Sequence, residues 1–226
     1  MAHAKLDIMN QGFVVLRDRE SLVPAHEFEG MNFMDWKSGG DTRFAPIASA
    51  LGAMECAGFW DHGKADKDGL WTLNAERCPT LVNYVKAVGA NYGRVRVIEL
   101  KPQTYEQSLR QLHLDDNNRL NPDGEGWVVR TWLELSDNPG AAMILRHEKN
   151  DPSTEIQIPL RAGMQYVVDS QRMWHVAMNP TDRPRYALIT SFESGPALDA
   201  WIRSQLPASH KAEGARARGL EAASLH

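Results

Sequence analysis

The sequence predicts a mainly β domain with flanking helices, two antiparallel sheets wound in the jelly-roll manner. Residues 94–192 hold a succession of short runs rich in β-branched and aromatic residues. Turn signals at Asn121-Pro-Asp-Gly124, Asp137-Asn-Pro-Gly140 and Asn150-Asp-Pro152 punctuate that stretch at intervals suited to a sandwich or small barrel. No long crossover segment of the kind that parallel strands need interrupts it.

In chain order, Gly12-Phe-Val-Val-Leu-Arg17 is β-branched and aromatic and closes on a charge, which predicts a first strand. A helical front section follows over about 20–90, with a helix at Glu76–Val88 between glycine-rich loops at 38–41 and 62–69. Strands are then expected at Arg94–Leu100, Trp127–Leu135, Ala142–Arg146, Glu155–Pro159, Gln165–Val168 and Arg185–Phe192. A last short helix, Ala197–Leu206, is closed by Pro207. One domain over 1–207 accounts for the chain. Residues 208–226 mix small and charged residues without apolar period, as a loosely ordered tail does.

Composition narrows the partners. The 25 basic and 29 acidic residues, net −4, are interspersed, so no basic face is built for nucleic acid. No apolar run approaches the roughly 18–20 residues of a membrane span. The start, MAHAKLDIMNQ, has no charged-then-apolar export pattern, so a cytoplasmic location is expected. Cys56 and Cys78 form no scaffold and read as reduced thiols.

The chemistry begins at RQLHLDDNNRL, residues 110–120. On a strand ending there, His113 and Asp115 face one side while Leu112 and Leu114 face the other. An imidazole and a carboxylate offered from one strand are two ligands of a metal site that needs a third. His175, in MWHVAMNPTDRPRYALITSFE, supplies it. A hairpin about Pro180 would place Arg185 opposite His175, and an arginine beside a metal suits a molecule that ligates the metal at one end and offers a carboxylate at the other. Taken singly, each motif has a plainer reading: H-x-D as a polar turn, Arg185 as a surface strand charge, Asp116 and Asn117 as turn caps, Arg43 as a solvated loop charge. His175 and Arg185 together turn the balance toward the metal site.

His113-x-Asp115, His175 and Arg185 ten residues later resemble the Fe(II)/2-oxoglutarate-dependent oxygenase superfamily, as do the stretches at 12–16, 130–135 and 161–169. The resemblance covers most of 94–192. It implies a double-stranded β-helix, Fe(II) on His113, Asp115 and His175, and 2-oxoglutarate on Arg185. The implied reaction uses O2 to decarboxylate 2-oxoglutarate to succinate and hydroxylate an unactivated C–H bond. Many members carry a hydroxyl residue two after the arginine; here it is Ala187, so Thr131 or Tyr186 would supply that hydrogen bond. Related halogenases replace the carboxylate ligand by a small residue, so Asp115 argues for a chloride-free oxidation. The stretch also resembles the small free-amino-acid hydroxylases related to the amino-acid radical halogenases, which implies that Asp116 meets an ammonium and Arg43 a carboxylate. The expected substrate is a small polar metabolite, with the free amino acids as the candidate class, and no oligomeric state is set. The competing expectations are a cupin-like metal enzyme that does not use 2-oxoglutarate, and a catalytically silent module that binds metal and 2-oxoglutarate.

Overall fold

The structure is a computed structural model that describes residues 11–36, 42–120 and 126–207. The 208–226 tail, the 38–41 loop and the 121–124 turn lie outside the described residues. The strands are β1 (Phe13–Val15), β2 (Met34–Asp35), β3 (Thr42–Ser49), β4 (Leu70–Trp71), β5 (Tyr92–Leu100), β6 (Val128–Glu134), β7 (Ala142–Arg146), β8 (Ile156–Pro159), β9 (Gln165–Val168), β10 (Trp174–Met178) and β11 (Arg185–Glu193). The helices are α1 (Pro79–Val88), α2 (Tyr105–Arg110) and α3 (Pro196–Gln205). A large antiparallel sheet runs β1-β9-β6-β11-β5-β3-β2, and a smaller one runs β10-β7-β8. Sheet order and chain order together give a jelly roll, the double-stranded β-helix expected above.

Pleating decides what each face of the large sheet does. Val95 and Val97 of β5, Val129 and Leu133 of β6, and Leu188 and Phe192 of β11 pack outward in one core with Leu81 and Val85 of α1 and Leu198 and Ile202 of α3. The alternate residues point between the sheets. There Trp132, Tyr166, Val168 and Ala187 meet Met143 and Leu145 of the small sheet. The same inner face carries Arg94, Arg96, Arg130 and Arg185 into a cavity.

Three expectations need correction. The front section is less helical than expected: short 3-10 turns and one true helix surround β3, a buried strand beside β5. Its Ala- and Pro-containing sequence hides it, since Pro46 donates no backbone hydrogen bond and the register slips between Pro46 and Ala48. The Pro46 carbonyl instead accepts from Thr72 Oγ1 at 2.7 Å and Asn74 Nδ2 at 3.0 Å. Second, the helix expected from Glu76 starts at Pro79, where proline suits the first turn and the Glu27 carboxylate accepts from Thr80 N at 2.9 Å. Third, β10 and β11 are no hairpin. They lie in different sheets, with His175 opposite Leu145 and Arg185 opposite Leu100. Buried Asn179 anchors the crossing segment by donating to the carbonyls of Leu100 (3.1 Å) and Arg183 (2.8 Å), and Asn138 Nδ2 donates to Thr181 Oγ1 at 2.9 Å. Those bonds replace the ladder that a tight turn would have made.

Near the start of β5 the backbone of Gly93 abuts that of Asp66, leaving no room for a Cβ. Gly93→Ala must displace main chain, so it is expected to cost about 2–3 kcal/mol in a urea titration. Asp66 also accepts from Arg94 N (2.7 Å) and Ser191 Oγ (2.9 Å), so the shift would reach the cavity wall.

Candidate metal centre

The segment after α2 is tied to β10 by one reciprocal pair of backbone bonds. His113 N donates to the His175 carbonyl at 3.3 Å and His175 N to the His113 carbonyl at 2.9 Å. Partners in such a pair share a face, so His113, not Arg185, is the cross-strand neighbour that matters to His175. The rings lie 4.4 Å apart. Asp115 N donates to the Ser170 carbonyl at 2.9 Å, which returns the Asp115 side chain to the same side. Leu112 is buried as expected, while Leu114 is exposed.

One ligand atom each from His113, Asp115 and His175 lie within 4.8 Å of one another. Asp115 Oδ1 is 3.7 Å from His113 Nε2, and Oδ2 is 3.8 Å from His175 Nε2. Both imidazoles are oriented from behind: His113 Nδ1 is 2.9 Å from the Gln111 carbonyl and His175 Nδ1 3.0 Å from the Met173 carbonyl. A carbonyl can only accept, so Nδ1 carries the proton and the Nε2 lone pairs converge. Burial pushes the His175 imidazole down to about 4, against the pull of Asp115, so it is neutral and free to ligate at neutral pH. Burial alone would raise the Asp115 carboxyl, but Arg130 and then the two imidazoles hold it well below the usual carboxylate range. The donor set of two imidazoles and one carboxylate fits a divalent iron with open positions.

Two asparagines and one arginine brace this centre. Arg130 Nε contacts Asp115 Oδ2 at 2.8 Å without a well-aligned hydrogen bond. Its Nη2 donates to Asn117 Oδ1 at 2.6 Å, and Asn117 Nδ2 donates to Ser170 Oγ at 3.1 Å. Asn118 locks the segment to β6, its amide exchanging bonds with the backbone of Val128 at 2.9 and 2.6 Å. Trp132 meets His175 edge-on with centroids 5.9 Å apart.

The cavity beside the ligands has a volume of about 620 Å³. Asp116 and Arg185 line it; Arg43 and Thr131 do not. Arg43 turns toward Glu99, Asp35 and the Phe33 ring. Thr131 lies between cavity-facing Arg130 and Trp132 on β6, so the pleat sends it to the helix side, and Tyr186 likewise faces away to Glu99 and Phe33. Arg185 is met by an unexpected partner. Its Nε donates to Glu134 Oε2 at 2.9 Å and its Nη2 to Oε1, while Tyr166 donates to the same carboxylate at 2.8 Å. Arg185 and Glu134 are both buried, and Nη1 alone is not engaged with Glu134. Ionisable residues in strand interiors, Arg94-x-Arg96, Arg130 and Glu134, were the sequence signal for this wall, since strand residues on an inner face are rarely charged without a reason.

No protein-family model matches the sequence, and no curated protein matches it significantly. Solved structures do match in fold. A 2OG-Fe(II) oxygenase family oxidoreductase from Burkholderia pseudomallei aligns over 87% of this chain and 91% of its own, with a TM-score of 0.51 and 15% identity. A non-heme alpha-ketoglutarate-dependent carbocyclase from nogalamycin biosynthesis aligns over 83% and 81%, also with a TM-score of 0.51 and 15% identity. This chain therefore has the fold of those two proteins, the double-stranded β-helix that its own sheets describe.

Proposed function

We propose that the protein is an Fe(II)- and 2-oxoglutarate-dependent oxygenase that hydroxylates an unactivated C–H bond of a small polar metabolite. The observation that supports this best is the convergence of His113, Asp115 and His175 on one wall of a cavity in this fold. His113, Asp115 and His175 would hold the iron, which would supply the O2-dependent coupling of 2-oxoglutarate decarboxylation to substrate oxidation, giving succinate, CO2 and an alcohol. The chain's residues provide the rest. Gln111 and Met173 fix the imidazole tautomers through their carbonyls, Arg130 keeps Asp115 ionised and aimed, and Trp132 flanks His175. Arg185 offers Nη1 to the distal carboxylate of 2-oxoglutarate. Asp116 stands at the rim, where a substrate ammonium would meet its carboxylate.

One observation favours a second reading, a metal enzyme of the same fold that does not use 2-oxoglutarate: Glu134 already neutralises Arg185. Anaerobic loading with Fe(II) and 2-oxoglutarate followed by O2 separates the two. Iron-dependent succinate release, stimulated by a polar metabolite, is expected. Iron binding with no succinate under any substrate would favour the second reading.

A further inference from the structure

Arg96 sits mid-strand on β5, opposite Ile189 of β11 and Pro46 of β3, and is 3% exposed. Its guanidinium lies 4.3 Å from the Phe44 ring centroid and 5.0 Å from that of Trp36, which hold it against the cavity wall. Among the described residues no acceptor meets its Nε or Nη1. The nearby acids are taken. Asp66 lies between Arg94 (4.0 Å) and Arg130 (3.9 Å), and Asp115 is committed to Arg130 and the imidazoles. Burial, and then the like charges of Arg94 and Arg130, press the Arg96 pKa well below the ordinary arginine range. A guanidinium does not surrender its proton in a protein, and a bound anion would meet both its open N–H donors and its charge.

That anion is distinct from the distal carboxylate of 2-oxoglutarate placed at Arg185. Ile189, the cross-strand partner of Arg96, is four residues along β11 from Arg185, a run of about 13 Å. A cavity of this size accommodates two small molecules. We propose that Arg96 receives a carboxylate of the molecule being oxidised, so that the substrate is an organic acid. The proposal rests on the cavity being the active site, as in the reading above. Ile98, Ile189 and Met143 line the same space and would pack the carbon skeleton of such an acid.

Acid and amide pairs of matched shape test this: acetate with acetamide, succinate with succinamide, benzoate with benzamide. Each is titrated into the full chain, and the melting temperature is followed first without metal and then with Mn(II) and saturating 2-oxoglutarate. At least one acid is expected to stabilise the protein where its amide does not, with affinity at least tenfold weaker in Arg96→Met. Arg96→Gln serves as a second neutral variant should Arg96→Met lack a cooperative transition. The proposal is overturned if no acid outperforms its amide, or if the preference survives in the neutral variant. The metal-loaded arm keeps the two readings apart: absence of any Mn(II)- and 2-oxoglutarate-dependent shift would remove the oxygenase assignment while leaving an acid preference at Arg96 intact.

Discussion

Asp115→Ala is expected to abolish metal-dependent stabilisation and, independently, to lower the stability of the metal-free protein by about 2–3 kcal/mol. The first effect follows from the donor set. Two imidazoles remain, but their lone pairs no longer face a charge that balances a divalent ion, and one of three protein ligands is gone. The second follows from Arg130, which is buried and meets Asp115 at 2.8 Å. Breaking a buried pair by deleting one partner typically costs 3–5 kcal/mol. Asp115 is about a fifth exposed and Asp66 remains 3.9 Å from Arg130, which places this case at or below the lower end. The sign of the pH dependence agrees. A carboxyl whose folded pKa is depressed contributes its stability fully above the unfolded value of about 3.9 and loses it as pH falls through the lower folded value. The difference between the native chain and Asp115→Ala should therefore be constant at neutral pH and shrink only in strong acid. Melting curves with and without Mn(II), repeated across pH, check both effects. A metal shift that persists in Asp115→Ala would mean that the ion sits elsewhere.

The shared direction of His113 and Asp115 was legible because it is a short-range fact: H-x-D places two side chains on one face wherever the backbone is extended, and a single bridge to His175 is enough to extend it. The position of Arg185 in the cavity was anticipated through a geometry that does not exist. The hairpin that was to carry it is a crossing between sheets, fixed by Asn138 and Asn179, whose side chains bond to backbone far away in sequence. Such anchors leave no local pattern. β3 was hidden for a related reason: its alanines and proline have weak strand propensity, and its place beside β5 is set by tertiary packing. Arg43 and Thr131 failed as cavity residues on parity alone. Each is one residue from a true lining position, Thr42 in one case and Arg130 and Trp132 in the other, and a shift of one along a strand reverses the face.

Glu134→Ala is expected to cost about 3–5 kcal/mol, or about 10–15 °C in melting temperature for a chain of this size. Glu134 is buried and accepts from Arg185 twice and from Tyr166 once, so the substitution orphans a guanidinium and a phenol together. The arrangement makes a further demand. A carboxylate shape replaced by a hydrophobic trio, Glu134→Met with Arg185→Met and Tyr166→Phe, should recover most of the loss, because the cost lies in unpaired polar groups more than in the pair itself. Glu134→Gln then separates the two possible duties of Arg185. The amide keeps an acceptor for the arginine but removes the charge that offsets it. If Arg185 holds the distal carboxylate of 2-oxoglutarate, the co-substrate should bind this variant more tightly in the presence of Mn(II), since its anion no longer competes with a fixed one. Should 2-oxoglutarate stabilise native chain and Glu134→Gln alike, Arg185 belongs to the fold, and the anion chemistry of the cavity falls to the arginines of β5.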